Sequence, residues 1–223
     1  MRGGWLLSAL ALLLAAVSVR ADDAPPSVLA RFVVQHADGA PEQLVVVRTS
    51  DRIEHRFVSR GSVERWRRDA RGELEHEKLY PSEGKSVHYT AGDLRTIHVE
   101  PSWEELGSLI GASERGALTP AGQKKGLAGR TARLSRGPLR GEPAQLEWLE
   151  DLSLPALLAT GKGRERTTVR LVSVESCTES TCAETPSDAL RSIEFADLGD
   201  MEYDPFVRRF VAREMPAHHA HAH

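Results

Sequence analysis

Four of the last six residues, His218, His219, His221 and His223, are histidines. Neutral imidazole binds Zn²⁺, Cu²⁺ and Ni²⁺, and alternating histidines on one strand can close on a single ion together. The competing reading is a terminal tail with no selected role. Closing such a tail costs ordering entropy, and it lacks the surrounding residues that orient ligands in a catalytic centre. The pattern therefore predicts a modest-affinity site for Zn²⁺, Cu²⁺ or Ni²⁺ and no required cofactor. Five further histidines, His36, His55, His76, His88 and His98, fall in strand-like segments. His76, His88 and His98 are candidates for cross-strand neighbours, although solvated sheet histidines explain them equally simply. Cys177 and Cys182 are the only cysteines. Their spacing is neither C-x-x-C nor half of a zinc cluster, so the pair reads as a local disulfide formed in an oxidising compartment.

Other chemistry is sparse. No Gly-x-Ser-x-Gly elbow is present, and Gly161-Lys162-Gly163 lacks the remainder of a phosphate loop. The acidic run Glu194, Asp197, Asp200, Glu202, Asp204 does not have EF-hand spacing. It reads as a solvated edge with a helix cap. No acid occurs between Glu114 and Glu142, whereas Lys124, Lys125, Arg130, Arg133, Arg136 and Arg140 do. That stretch is either a basic flap for an anionic partner or headgroup surface, or a set of solvated strands and loops.

The N-terminus supplies an address. Met1-Arg2 precedes an apolar run of about 13 residues, Trp5–Val17, and Val19-Arg20-Ala21 offers a cleavage site. A spanning helix needs about 20 apolar residues, so the expectation is a cleaved secretory signal peptide over 1–21. No cysteine follows to carry a lipid anchor, and the expected location is the periplasm. Cleavage would leave 202 of the 223 residues, with 27 basic and 32 acidic side chains once Arg2 and Arg20 are gone. Such weak acidity excludes general nucleic-acid binding, which needs a basic surface. The length suits one domain over 22–216, with 217–223 as a flexible tail and a monomer as the expected state.

Short strands should position these groups. Val28–His36 and Glu42–Thr49 flank Asp38-Gly39-Ala40-Pro41. In Asp51–Ser59, Ile53, His55 and Phe57 alternate with Arg52, Glu54 and Arg56, the period of a half-buried strand. Val63–Asp69, Glu73–Tyr80, Ser86–Thr90 and Asp93–Val99 continue a meander. Ser102-Trp103-Glu104-Glu105 has capping-box form and predicts a short helix ended by Gly111. Strands resume over Ala144–Glu150, Leu154–Leu158, Thr167–Glu175 and Ile193–Phe195. Asp204-Pro205 then opens a final helix with Phe206, Val207, Phe210 and Val211 on one face.

Three segments together, Val63–Asp69, Val87–Arg95 and Gln145–Leu158 followed by Thr167–Glu175, give a layout that resembles the LolA/LolB-like superfamily of exported proteins. The resemblance covers most of the chain after the leader. It implies a mainly β (α+β) fold, a large bent antiparallel sheet or half-barrel with a few short helices over an apolar cavity. It also implies non-covalent binding of a lipid or lipoprotein acyl chain, with transient contact at a membrane surface or membrane partner. Trp66, Leu146, Trp148, Val169 and Leu171 are the candidates for lining that cavity or for the core beside it. The expected function is therefore a soluble, non-catalytic exported binding protein for a lipid or other apolar ligand. The alternative is a metal-handling protein that uses His218–His223.

Overall fold

The structure, a computed structural model, describes residues 25–178 and 180–214. The leader and the histidine tail lie outside the described residues. Twelve strands form one sheet. The first six are β1 (Val28–His36), β2 (Glu42–Arg48), β3 (Arg52–Phe57), β4 (Ser62–Arg68), β5 (Leu74–Tyr80) and β6 (Lys85–Tyr89). Three six-residue helices follow, α1 (Ala91–Thr96), α2 (Trp103–Ser108) and α3 (Ala112–Ala117). The chain then enters β7 (Thr119–Lys125), β8 (Thr131–Leu139), β9 (Glu142–Leu149), β10 (Leu154–Thr160) and β11 (Thr167–Ser176), and ends with β12 (Arg191–Glu194) and α4 (Pro205–Glu214).

The spatial order is β12-β6-β5-β4-β3-β2-β1-β11-β10-β9-β8-β7. One meander runs from β1 out to β6. The three helices carry the chain to the far edge, and a second meander returns from β7 to β11, which pairs with β1. Residues 177–190 then cross back to β6, where β12 joins in parallel. A parallel neighbour requires a long crossover of this kind.

These observations correct the expected half-barrel. The sheet is open, with β7 and β12 as its edges, and it is mixed because of the β12–β6 pair. Buried side chains fill the face under the helices in packed clusters, one around Trp66, Tyr89 and Phe206, another around Phe32, Val46 and Leu171. Asp93–Val99 is also not a strand. The Thr90 hydroxyl accepts from the Asp93 N–H while the Asp93 carboxylate accepts from the Thr90 N–H, and this capping box starts α1. The Ser102 helix forms as expected, with the Ser102 side chain accepting from Glu105 N–H. It stops at Leu109 in the left-handed region (φ 63°), two residues before Gly111. The helix after Asp204 also forms, and the Asp204 carboxylate accepts from the Phe206 and Val207 N–H groups.

Two arginines are buried on opposite faces of the sheet. On the helical face, Arg48 is 3% exposed and has no carboxylate partner among the described residues. Its five N–H bonds go to carbonyls: Pro26 twice, Gly107, Leu152 and Ser153, at 2.6–3.2 Å. One side chain thus ties the N-terminal lead-in, α2 and the β9–β10 turn to the middle of the sheet. Burial lowers its pKa to about 10, so it stays charged at neutral pH. A Cβ at Gly107 would stand 2.7 Å from Arg48 Cδ, so only glycine lets α2 approach this closely.

On the other face, β3 presents Arg52, Glu54 and Arg56. That face was expected to be solvated, but residues 182–187 cover it. Glu54, fully buried, accepts from Arg65 Nε (3.0 Å), Arg56 Nε (2.8 Å) and the Thr185 hydroxyl (2.9 Å). Arg65 also reaches Glu77, Glu184, Ser187 and the Thr185 carbonyl. The expected Cys177–Cys182 disulfide is present, with Cα atoms 5.3 Å apart. It closes the loop at the head of the strap, and Cys182 packs on Leu29 and Val47.

Two predictions follow from these contacts. Arg48→Lys keeps the charge but loses the planar five-donor fork. It leaves buried carbonyls unpaired and should cost at least about 2 kcal/mol in chemical denaturation; a loss under 0.5 kcal/mol would show that the carbonyls find other donors. Glu54→Gln should cost about 3 kcal/mol, because it removes one partner of a buried ion pair. It should also raise hydrogen exchange at the Thr185 amide, which donates to Glu54 at 3.2 Å. Reduction of the disulfide alone should leave that amide protected.

Candidate functional site

A groove of about 610 Å³ opens where α3 lies over β7–β9. Its floor comes from β9. Leu146 and Trp148 alternate there with Glu147 and Leu149, so both point to the α3 side. Cross-strand register sets Gln123, Arg133 and Trp148 in one row and Ser135 opposite Leu146 in the next. The lip of β7 contributes Pro120 and Gly122, at a bulge in its pairing with β8. From α3 come Ala112, Arg115 and Gly116, with Leu118 just beyond.

Few contacts hold α3 in place. The β8–β9 turn places Arg140 and Gly141 at φ 52° and 86°, two successive positive values that suit a tight hairpin connection. From this turn Arg140 reaches Glu114 at 2.6 Å and Glu105 at 2.8 Å. The Arg140 hydrogen bond lowers the Glu114 pKa, and Glu114 in turn raises that of Arg140. Gly137 makes room for the chain end of the helix, since a Cβ there would meet Leu118 Cδ2 at 3.4 Å.

The groove is amphiphilic. Leu146 and Trp148 are almost fully buried yet form its base. The Arg115 guanidinium lies over the Trp148 ring, 4.2 Å from its centroid, a cation–π contact. Arg115 also pairs with Glu104 at 3.1 Å, and Arg133 with Glu150 at 3.1 Å. The Trp148 indole N–H is buried without a hydrogen-bond partner among the described residues.

Of the five sequence candidates, the structure brings Leu146 and Trp148 together here, with Val169 packed against the same cluster. Leu171 belongs to the central core beside Phe32. Trp66 is distant in the fold. It stacks on His76 at 3.8 Å, His76 stacks on Tyr89 at 5.2 Å, and Tyr89 stacks on Phe195 at 4.7 Å. Trp66 is thus a rung in a four-ring ladder of the core. Sequence reasoning missed Arg115, and it named Arg133 only as one member of the basic stretch. The acid-free run from 115 to 141 was the available signal, and its charges turn out to be largely paired. Lys124 meets Glu147, Arg130 meets Asp151, Arg133 meets Glu150, and Arg140 meets Glu105 and Glu114.

The metal expectation is corrected. Among the described residues no group of three or more His, Cys, Asp or Glu is placed to hold an ion such as Zn²⁺, Cu²⁺ or Ni²⁺. His76 faces the core opposite Tyr89, His88 pairs with Glu77 on the other face, and His98 follows α1 at φ 56°. The three therefore do not form a metal-ligand group among the described residues. His218, His219, His221 and His223 lie outside the described residues. Among the described residues no helix is long and apolar enough to cross a membrane.

No family model matches the chain, and no curated protein matches it. Among solved structures, PNGF-II in space groups P21 and C2 is similar at 9% and 10% identity, each with a TM-score of 0.45. The match covers 80% of this chain and 34% and 33% of those chains, so this chain spans about a third of their length. The layout resemblance to the LolA/LolB-like superfamily is overturned. Neither comparison supports it, and the open sheet lacks the half-barrel that defines it.

The buried histidines set a pH dependence. Burial pushes His55 below its usual value of 6.5, although its Nε2 lies 2.8 Å from the Leu106 carbonyl and Glu64 opposes the shift. Burial also pushes His76 well below 6.5, helped by Lys78, His55 and His88. Folding thus excludes protons that the unfolded chain binds. Their stabilisation is complete above pH 6.5 and is lost as pH falls below it. His76→Phe keeps the ring ladder. It should flatten the stability curve between pH 6.5 and 5 by up to about 1.4 kcal/mol per pH unit. An unchanged slope in denaturant titrations would show that His76 is protonated in the fold.

Proposed function

We propose that this chain is an exported, non-catalytic binding protein whose ligand, a lipid or other small molecule with an apolar body, sits in the groove between α3 and β7–β9. The observation that carries the reading is the groove floor. Leu146 and Trp148, 0% and 3% exposed, lie directly beneath an opening of about 610 Å³ whose walls carry the more accessible Ala112, Pro120 and Leu134. That volume lies within the range of about 300–1,000 Å³ usual for small-molecule sites. No histidine or cysteine lines the groove, and its carboxylate, Glu150, is engaged by Arg133. Binding without chemistry suits that lining. Export is supported by the leader-like Met1–Ala21 and by the Cys177–Cys182 bridge, a linkage that persists in oxidising compartments.

Gly116 offers a direct test. It lines the groove from α3, and a Cβ there would meet nothing within 4 Å. Gly116→Phe should fill the groove without disturbing the core. The uncharged probe Nile red should show saturable fluorescence enhancement with the wild-type protein. Its affinity should fall at least tenfold for Gly116→Phe while the melting temperature holds. Absence of uptake by the wild type, or equal uptake by both proteins, would sink the reading.

A further inference from the structure

We infer that the groove's ligand is a medium-chain amphiphilic carboxylate, with its chain in the opening above Leu146 and Trp148, against Ala112, Pro120 and Leu134, and its anionic head between Arg115 and Arg133. The inference rests on the groove reading above and adds the charge of the ligand. A neutral apolar molecule would have no use for two guanidiniums in the lining, and its binding would desolvate them.

The cations of this end of the molecule fall into two groups. Lys124 is held by Glu147, a carboxylate whose side chain is only 5% exposed, and Arg140 is shared between two carboxylates. Both are committed to structure. Arg115 and Arg133 line the groove, and each meets a single carboxylate on the surface. For Arg133 and Glu150 the side-chain exposures are 64% and 54%, and for Arg115 and Glu104 they are 28% and 43%. Exposed pairs of this kind contribute little. Exchanging Glu104 or Glu150 for a ligand carboxylate therefore gives up little. A carboxylate seated at the edge of the groove gains charge-assisted, bidentate bonds from a guanidinium.

Three further donors surround that position. Gln123 is the cross-strand neighbour of Arg133, and Ser135 lies opposite Leu146. The third is the buried Trp148 indole N–H, which has no hydrogen-bond partner among the described residues.

Decanoate and decanol, each below its micellar range, are the probes, and calorimetry on the leader-free chain is the readout. Decanoate should bind roughly tenfold or more tightly than decanol. Arg115→Gln with Arg133→Gln should abolish the tenfold preference for decanoate over decanol, so that the two probes bind alike. Both side chains are partly exposed, and a thermal melt confirms the fold of the variant. Equal affinity of the wild type for the two probes would overturn the carboxylate inference while the groove reading stands. So would a preference for decanoate that persists in the double variant. If neither probe binds, both readings fall.

Discussion

The buried guanidinium of Arg48 is the contact on which the helical face depends. A sheet of twelve strands with only short helices has no long amphipathic helix to hold its layers together. α1, α2 and α3 have six residues each, too short to be stable by themselves. Arg48 answers this by converging five hydrogen bonds on carbonyls from three separate segments. Carbonyls at the end of a helix and in a tight turn are the groups that lack partners in their own elements. A guanidinium has five donors and no acceptor, so it can satisfy them all without a carboxylate. The charge is stabilised by oriented dipoles, and its depressed but still high pKa of about 10 fits that environment.

The opposite face uses a different device. Glu54 and Arg65 would be costly alone at that depth. They are tolerable because the 182–187 segment supplies Thr185, Ser187 and Glu184 as further partners. The strap and the ion pair require each other. Without the strap the pair would be half-solvated and weak; without the pair the strap would lie on the sheet with little apolar area beneath it. The short disulfide loop fixes where the strap starts, and Arg191 N–H donating to Gly84 carbonyl fixes where it lands beside β6. That landing makes the one parallel pair and turns an antiparallel meander into a mixed sheet.

These devices explain which parts of the fold the sequence made legible. Strands whose apolar residues alternate, such as Asp51–Ser59, could be read from local pattern because one face had to be buried. The two terminal caps, Ser102 and Asp204, were legible because capping is a contact within three residues. Thr90-Ala91-Gly92-Asp93 carries the same signal, but it lies between residues of strand-like type and was read with them. The curvature of the sheet was not legible. It depends on which edge strands pair, and those pairings join residues as far apart as β1 and β11. The roles of Arg48, Arg65 and Glu54 were hidden for a similar reason. In sequence they look like the polar half of an alternating strand, and only long-range carbonyls and a distant strap reveal them as buried. At the candidate site, Leu146 and Trp148 were visible as large apolar residues sharing a face. Arg115 and Arg133 were lost in a basic run whose acids come from β9, α2 and α3.

The construction of the groove follows from the same division between local and long-range contacts. Its floor belongs to the interior of the sheet, where Leu146 pairs across to Leu158 and packs on Val169. Its roof is a single six-residue helix held at the surface by the Arg140 pairs with Glu105 and Glu114. Its lip is an edge strand with no buried residue. Pro120, a bulge and two lysines keep that edge from pairing with another chain, so the lip stays free beside the groove. Regions with few buried contacts open at low free energy, whereas packed strands do not. The result is a rigid apolar base under an adjustable polar rim. On the proposed reading, such a site would accept ligand bodies of different length while Arg115, stacked on Trp148, still meets the same anionic head. Selectivity would then reside in the head, where the guanidiniums are, and tolerance in the chain.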